Sequence, residues 1–121
     1  MIDHVTLSVS DLSAARRFYE AAFAPLGYRL SFGEEGRFWA FDIGDGLFEI
    51  QATETAPPLT PAHVAFRVGS RALVDAFHRA ALDAGGHDNG APGPRPAYTE
   101  HYYAAFVLDP DGHNIEAMID G

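Results

Sequence analysis

The sequence predicts an α+β fold made of two tandem units, and three observations support this prediction. The 24 residues from His4 to Gly27 align without a gap to those from His63 to Gly86, with seven identities. Each copy starts with period-2 alternation and continues with a helical apolar stripe. The remainder of each half consists of short apolar runs separated by turn residues, which is typical of further strands.

The first unit predicts a strand, a helix and three more strands. Val5, Leu7 and Val9 share one face of the opening strand. Asp11 is the expected N-cap of the helix, and Gly27 its expected end. The later strands are predicted at about 28–32, 37–43 and 47–52, with an Asp45-Gly46 hairpin turn before the last of them.

The second unit repeats this pattern with a less regular middle section. Ser70 is the expected N-cap of its helix, and Gly85 and Gly86 end it. Strands are predicted at 103–108 and 114–119, whereas the Gly- and Pro-rich stretch 87–100 is predicted to be a loop flanking the site. The two units are therefore assigned to residues 1–55 and 62–121 of one domain, with a linker at 56–61.

Length and composition exclude several classes of function. A chain of 121 residues is long enough for one domain. Its net charge of -9 disfavours nucleic acid as a partner. The absence of cysteine excludes thiolate chemistry, and the absence of lysine excludes Schiff-base chemistry. No apolar run approaches the ~20 residues of a membrane span, and no leader pattern precedes the first strand, so we expect a cytoplasmic protein without membrane contact.

Four polar residues stand out on otherwise apolar strands. His4 and His63 occupy equivalent repeat positions, and each half ends in a strand carrying a glutamate, Glu49 or Glu116. Strand alternation directs all four side chains away from the side covered by the helices. If the halves are related by a pseudo-twofold axis, the four converge on one surface. Imidazole nitrogens and carboxylate oxygens bind divalent cations, and a cation offsets the cost of burying a carboxylate. We therefore expect a divalent metal cofactor there.

Further residues are candidates for substrate binding. Arg67 follows His63 by two residues on the same strand face and is suited to bind a carboxylate or phosphate, although an ordinary salt bridge explains it equally well. An aromatic cluster after the Pro- and Gly-rich stretch is suited to wall the pocket, although such clusters more often serve packing. Its members are Tyr98, His101, Tyr102 and Tyr103. His78, His87 and His113 are expected on a helix face, in a loop and in a turn, without a role.

Three sequence motifs are spread along the whole chain. They are D-H-V-x-L-x-V-x-D-L at the start, A-H-V-A-F-x-V at the midpoint and D-P-D-G-H-N-I-E near the end. The chain resembles the vicinal oxygen chelate superfamily, which includes glyoxalase I, bleomycin-resistance proteins and extradiol dioxygenases. The resemblance implies two βαβββ modules that form incomplete barrels around a metal cleft. It places metal ligands on His4, His63 and Glu116, with Glu49 as the best match for a fourth. Gln51 lies on the same face two residues further on, as an alternative fourth ligand or a substrate-binding residue.

The resemblance also implies an activity. Members of the superfamily use a divalent metal to bind two neighbouring oxygens of a small substrate and to stabilise an enolate-type intermediate. The chain is thus expected to be a lyase or isomerase of the glyoxalase type, with Glu116 or Glu49 moving a proton, and to form a homodimer. Three alternatives remain open, namely a metal-free binding protein like the bleomycin-resistance proteins, an extradiol-type dioxygenase and a small interaction domain with a vestigial site. The metal is expected to be Zn, Ni, Mn, Fe or Co, because all accept nitrogen and oxygen ligands.

Overall fold

A computed structural model describes residues 2–53 and 60–121. The first half forms a four-stranded sheet in the order β1-β4-β3-β2, with β1 parallel to β4 and the other pairs antiparallel. A helix, α1, and a short 3₁₀ turn connect the first two strands. The elements are β1 (His4–Val9), α1 (Leu12–Phe23), the 3₁₀ turn (Ala24–Leu26), β2 (Arg29–Glu34), β3 (Phe38–Asp42) and β4 (Leu47–Ala52).

The second half repeats this topology with the strand order β5-β8-β7-β6. The predicted α+β fold of two βαβββ modules is therefore confirmed, and neither sheet closes into a barrel within the described residues. None of the helices described is long and apolar enough to cross a membrane. The elements are β5 (His63–Arg67), α2 (Arg71–Asp83), β6 (His87–Pro94), β7 (Tyr102–Leu108) and β8 (Asn114–Asp120).

Both helices begin at the predicted caps. The Asp11 side chain accepts a hydrogen bond from the Ala14 amide, and the Ser70 hydroxyl accepts one from Leu73. Each bond satisfies one of the backbone donors that the first turn of a helix leaves free. The chain leaves the 3₁₀ turn through Gly27 with a φ of 76°, a left-handed conformation that glycine adopts without steric cost.

The prediction of a loop over 87–100 is wrong for its first eight residues, which form β6. This strand is an edge strand with register shifts near Gly90, so its prolines and glycines interrupt few ladder hydrogen bonds. Gly90 has a φ of 152°, and a side chain there would collide with the Phe106 ring. The predicted linker at 56–61 lies mostly outside the described residues.

One hydrophobic core joins the two halves. The Phe23 ring in α1 contacts Phe48 of β4 and Phe66 of β5, with ring centroids 5.3 and 5.2 Å apart. Phe18, Phe77 and other residues of both helices belong to the same buried cluster. The helices therefore cover one face of each sheet. We call the other face of each sheet its open face.

The turn between β7 and β8 attaches the second half to the first. The Tyr19 hydroxyl donates to Asp109 at 2.5 Å. His113 is fully buried, where its Nδ1 accepts from the Ala62 amide at 2.9 Å and its Nε2–H donates to the Ser8 carbonyl at 2.8 Å. His113 was expected to have no role, but in the structure it connects the start of β5 to the end of β1.

Candidate active site

The open face of the second sheet holds a hydrogen-bonded group of three side chains. His63 opens β5, and Glu116 lies on the neighbouring strand β8 beside Ala65. The His63 Nε2–H donates to Oε1 of Glu116 at 2.9 Å. The Tyr102 hydroxyl, from β7, donates to the other carboxylate oxygen of Glu116. Each oxygen of this carboxylate thus has a protein donor.

Burial makes this group sensitive to substitution. Glu116 is only 3% exposed, and a buried carboxylate without partners costs several kcal/mol. Burial and the Glu116 carboxylate together raise the pKa of Tyr102 to about 12, although the charge of Arg67 acts in the opposite direction. Tyr102 is therefore a neutral donor throughout the physiological pH range.

The first half places its own histidine and glutamate at the equivalent positions. Glu49 lies beside Thr6 on the open face of the first sheet, and His4 is two residues before Thr6. Here the two side chains are not bonded to each other. The His4 Nδ1–H donates to Asp3 at 2.9 Å, and the hydrogen bond with Asp3 and the charge of Glu49 raise the pKa of His4. Glu49 accepts a long hydrogen bond, 3.4 Å, from Thr6.

The two pairs do not form one cluster in the chain. Among residues 2–53 and 60–121, no group of three or more His, Cys, Asp or Glu side chains is arranged to hold a metal ion. His4 and His63 both line a cleft of about 390 Å³, together with Val5 and Phe66. Their imidazoles point to different acceptors, however, Asp3 for His4 and Glu116 for His63.

The predicted substrate-binding residues fall into two groups. Tyr98 is 60% exposed and packs edge-on against Tyr102, with ring centroids 5.0 Å apart. Arg67 is exposed, and its charge acts on Tyr102, so both residues border the group around Glu116. His101 is also exposed, with its Nε2 3.8 Å from the carboxylate of Glu100.

The other two predicted residues lie elsewhere. Tyr103 alternates with Tyr102 along β7, so it faces the helix side, where its hydroxyl donates to Asp75 at 2.6 Å and Arg71 lies over its ring. Gln51 is on the open face of the first sheet, within hydrogen-bond distance of Ser8. It lines a cleft of about 420 Å³ with Glu49, Arg37 and Phe38.

The open face of the second sheet also contains a cleft that was not predicted from the sequence. Arg95, Phe106 and Asn114 line this space of about 390 Å³ together with Tyr98. Phe106 also packs against the His63 ring, with centroids 6.2 Å apart. The sequence offered one signal, because Asn114 precedes Glu116 by two residues and therefore shares its strand face. Arg95 gave none, since it stands in the stretch that was predicted to be a loop.

Comparisons with known proteins agree with this architecture. The family profile of the glyoxalase/bleomycin resistance protein/dioxygenase superfamily matches residues 1–117. A crystal structure of a glyoxalase/bleomycin resistance protein from Albidiferax ferrireducens T118 is 29% identical, covers 98% of both chains and superposes with a TM-score of 0.86. The chain belongs to this superfamily.

Two more distant structures share the fold. A lactoylglutathione lyase from Agrobacterium tumefaciens is 19% identical, with coverage of 98% of this chain and 92% of that one and a TM-score of 0.75. TioX from Micromonospora sp. ML1 is 20% identical, with 98% coverage of both chains and a TM-score of 0.76. No protein of curated function matches the chain.

Proposed function

We propose that this protein is a metal-dependent lyase or isomerase of the glyoxalase type, acting on a small substrate with two neighbouring oxygens. The observation that carries the proposal is the pair formed by His63 and the buried carboxylate of Glu116. Membership of the superfamily and the likeness to the Albidiferax protein support it.

The His63–Glu116 pair fits a divalent metal ion. Two ligand atoms that each lie about 2.1 Å from one ion stand about 3.0 to 3.4 Å apart, for ligand angles between square and tetrahedral. The Nε2 of His63 is 2.9 Å from Oε1 of Glu116, so small side-chain rotations open the pair enough to hold an ion in place of the shared proton. Tyr102 then orients the carboxylate from its other oxygen, as outer partners of metal ligands commonly do.

The two glutamates are suited to different tasks. Glu116 is held by two donors and is buried, which suits a fixed ligand. Glu49 is half-buried, has one long hydrogen bond among residues 2–53 and 60–121 and lines an open cleft, so its carboxylate has room to move. We assign to Glu49 the transfer of a proton between two adjacent substrate carbons, from the carbon next to the carbonyl group to the carbonyl carbon itself. The bound metal would polarise the substrate oxygens as a Lewis acid.

The remaining ligands come from the first half. His4 and Glu49 supply one imidazole and one carboxylate, which completes a set of four with His63 and Glu116. Because the two pairs are not assembled within the described part of one chain, we propose that the set is completed in a homodimer. A twofold dimer brings the first sheet of one copy to the second sheet of the other and forms two identical sites.

Metal analysis tests the ligand assignment. Protein purified without a histidine tag and reloaded with Zn, Ni, Mn, Fe or Co should bind one ion per chain. His63→Ala and Glu116→Gln should each lower the bound metal at least ten-fold, whereas the control His87→Ala, an exposed histidine at the start of β6, should not change it. Wild-type stoichiometry in both site variants would refute the assignment.

A mixing experiment tests the dimer. His4→Ala and His63→Ala chains are each deficient in metal binding, but a mixed dimer of the two contains one intact site. Unfolding and refolding the two variants together should therefore restore about a quarter of the wild-type metal, the share expected from random pairing. Restoration near zero, with each variant folded, would contradict a site shared between copies.

A second candidate is supported by one specific observation. Both carboxylate oxygens of Glu116 already have protein donors, so the site is electrostatically satisfied without an ion. This favours a metal-free protein that binds a small molecule. A thermal-shift screen of α-hydroxycarbonyl, thiohemiacetal and catechol compounds, with and without added metal, separates the two functions. Midpoint shifts that need metal support the enzyme, and equal shifts in chelator support the binding protein.

A further inference from the structure

The cleft beside Tyr98 on the second open face combines an arginine, an asparagine amide and two aromatic rings. Arg95, Asn114 and Phe106 line it together with Tyr98 and Gly90. Apolar walls with a few converging polar groups are typical of small-molecule sites. None of the residues that line this cleft is one of the proposed metal ligands.

Arg95 is fixed in place but not neutralised. Its Nη1 donates to the carbonyls of Gly93 and Pro94 at 3.0 and 3.2 Å, and its Nη2 donates to the carbonyl of Ala91 at 2.8 Å. These bonds use three of the five guanidinium donors, and no carboxylate pairs with Arg95 among the described residues. Two donors and a full positive charge therefore remain for a ligand, which matches the two oxygens of a carboxylate.

Asn114 provides the complementary group. Its side-chain oxygen is buried and has no hydrogen-bond partner among the described residues, and a rotation of the amide group turns it towards the cleft that Asn114 lines. Such an unpaired acceptor is unfavourable, and a ligand that brings an N–H or O–H group removes this cost. Asn114 is paired with His63 in the register of β5 and β8.

Aromatic packing connects the cleft to the proposed reaction centre. The Arg95 guanidinium lies over the Phe106 ring, 5.4 Å from its centroid, and that ring also packs against His63. Gly90 allows this approach, because a Cβ atom there would come within 2.8 Å of the Phe106 ring. The cleft and the His63–Glu116 pair therefore share the Phe106 ring.

We infer that this cleft binds the carboxylate end of an aromatic acid that also carries a hydroxyl or amino donor. The carboxylate pairs with Arg95, the donor reaches the Asn114 oxygen and the ring packs on Phe106. The substrate of the proposed enzyme, on whose function this step rests, is then an aromatic acid that presents two neighbouring oxygens to the metal ligands.

Direct binding to the metal-free protein tests the inference. The probes are benzoate, methyl benzoate and the 2-, 3- and 4-hydroxybenzoates, measured by calorimetry in the presence of a chelator. Benzoate should bind at least ten-fold more tightly than its methyl ester, because the ester lacks the charge. At least one hydroxybenzoate should bind about five-fold more tightly than benzoate, since it supplies the missing donor.

Two variants should remove these preferences separately. Arg95→Gln should reduce the preference for benzoate over the ester to less than two-fold while keeping the hydroxyl preference. Asn114→Leu should do the reverse. Arg16→Gln, which removes an arginine paired with Glu20 on α1, is the matched control and should change neither. Because Arg95 also holds β6, amide NMR shifts of Gly90 and Asn114 in wild-type protein locate the ligand without any variant.

These measurements distinguish a failure of the proposed carboxylate cleft from a failure of the proposed metal-dependent function. Equal affinity for benzoate and methyl benzoate, or shifts confined to other residues, would overturn the inference even if the protein binds metal. A benzoate preference that depends on Arg95 in a protein that binds no metal would support the cleft and refute the metal-dependent enzyme. An unchanged metal content in Arg95→Gln shows that this substitution leaves the metal ligands intact.

Discussion

The two halves of the chain surround the same repeat position differently. In the second half, Glu116 is buried, and its two oxygens accept hydrogen bonds from His63 and Tyr102. In the first half, Glu49 is half-buried and accepts a long hydrogen bond from Thr6. The backbone register is equivalent in both sheets, so the neighbouring side chains cause the difference.

The residues opposite the two glutamates explain this contrast. Phe106 is paired with Glu116 across the β7–β8 ladder, whereas the small Ala40 is paired with Glu49 across β3–β4. Directly paired residues on one face of a sheet are close neighbours, so the Phe106 ring gives Glu116 more cover than the Ala40 methyl group gives Glu49, which lines the cleft beside Gln51. A repeated backbone thus provides two carboxylates in equivalent places, and their neighbours fit one for a fixed ligand and the other for proton transfer.

The largest effect on this contrast is expected from Phe106→Ala. Phe106 is 8% exposed and belongs to a small cluster with Ala104 and Met118 on the open face. Removing the ring should lower the free energy of unfolding by about 3 kcal/mol, since it deletes a buried aromatic side chain and exposes Glu116. Phe38→Ala in the first half, whose ring packs on the half-exposed Phe32, should cost less than half as much. Urea denaturation compares the two, and equal losses would contradict the contrast.

A smaller loss is expected from Tyr19→Phe. The Tyr19 hydroxyl is the donor to Oδ2 of the buried Asp109, whose other oxygen accepts from the amides of Asp111 and His113. Losing this donor should lower the unfolding free energy by about 2 kcal/mol and weaken the attachment between the halves. Urea denaturation with fluorescence detection measures the loss, and a change below 0.5 kcal/mol, roughly the size of a surface substitution, would argue against it.

Tyr102→Phe should have a moderate effect with a distinct pH dependence. The pKa of Tyr102 is raised to about 12, above its value in the unfolded chain. Its contribution to stability is therefore complete below pH 10, roughly the unfolded value, and is lost as the pH rises towards 12. Wild-type stability should fall more steeply over this range than that of Tyr102→Phe. Parallel pH profiles of the two proteins would show that Glu116 does not hold this hydroxyl.

The smallest effect concerns the repeat position of Tyr19 in the second half, which is His78. Its Nε2–H donates to Asp88 at 3.0 Å, and this bond, with the Gly90 amide, lowers the pKa of Asp88 below 3.8. The pair stabilises the fold above the unfolded pKa and ceases to do so as the pH falls through the folded pKa. His78→Ala should raise the Asp88 pKa, as measured by carboxylate NMR titration, and an unchanged titration would refute the pairing.

Local pattern was sufficient for much of the fold and for part of the candidate site. The helix caps at Asp11 and Ser70 and the duplicated topology follow from short-range rules, because alternation and capping involve neighbours in the sequence. The same alternation assigned His63 and Glu116 to one face, where the structure shows them in contact. It did not separate Tyr102 from Tyr103 by function, although consecutive strand residues must face opposite sides.

The sequence by itself therefore determined the repeated elements and the faces on which the histidines and glutamates stand. Only the tertiary structure decided that Glu116 is covered while Glu49 is open, that His113 joins the halves, and that Arg95 and Asn114 line one cleft. The physical reason is distance along the chain. These outcomes depend on side-chain size and donor placement on strands brought together by packing, which no local periodicity records.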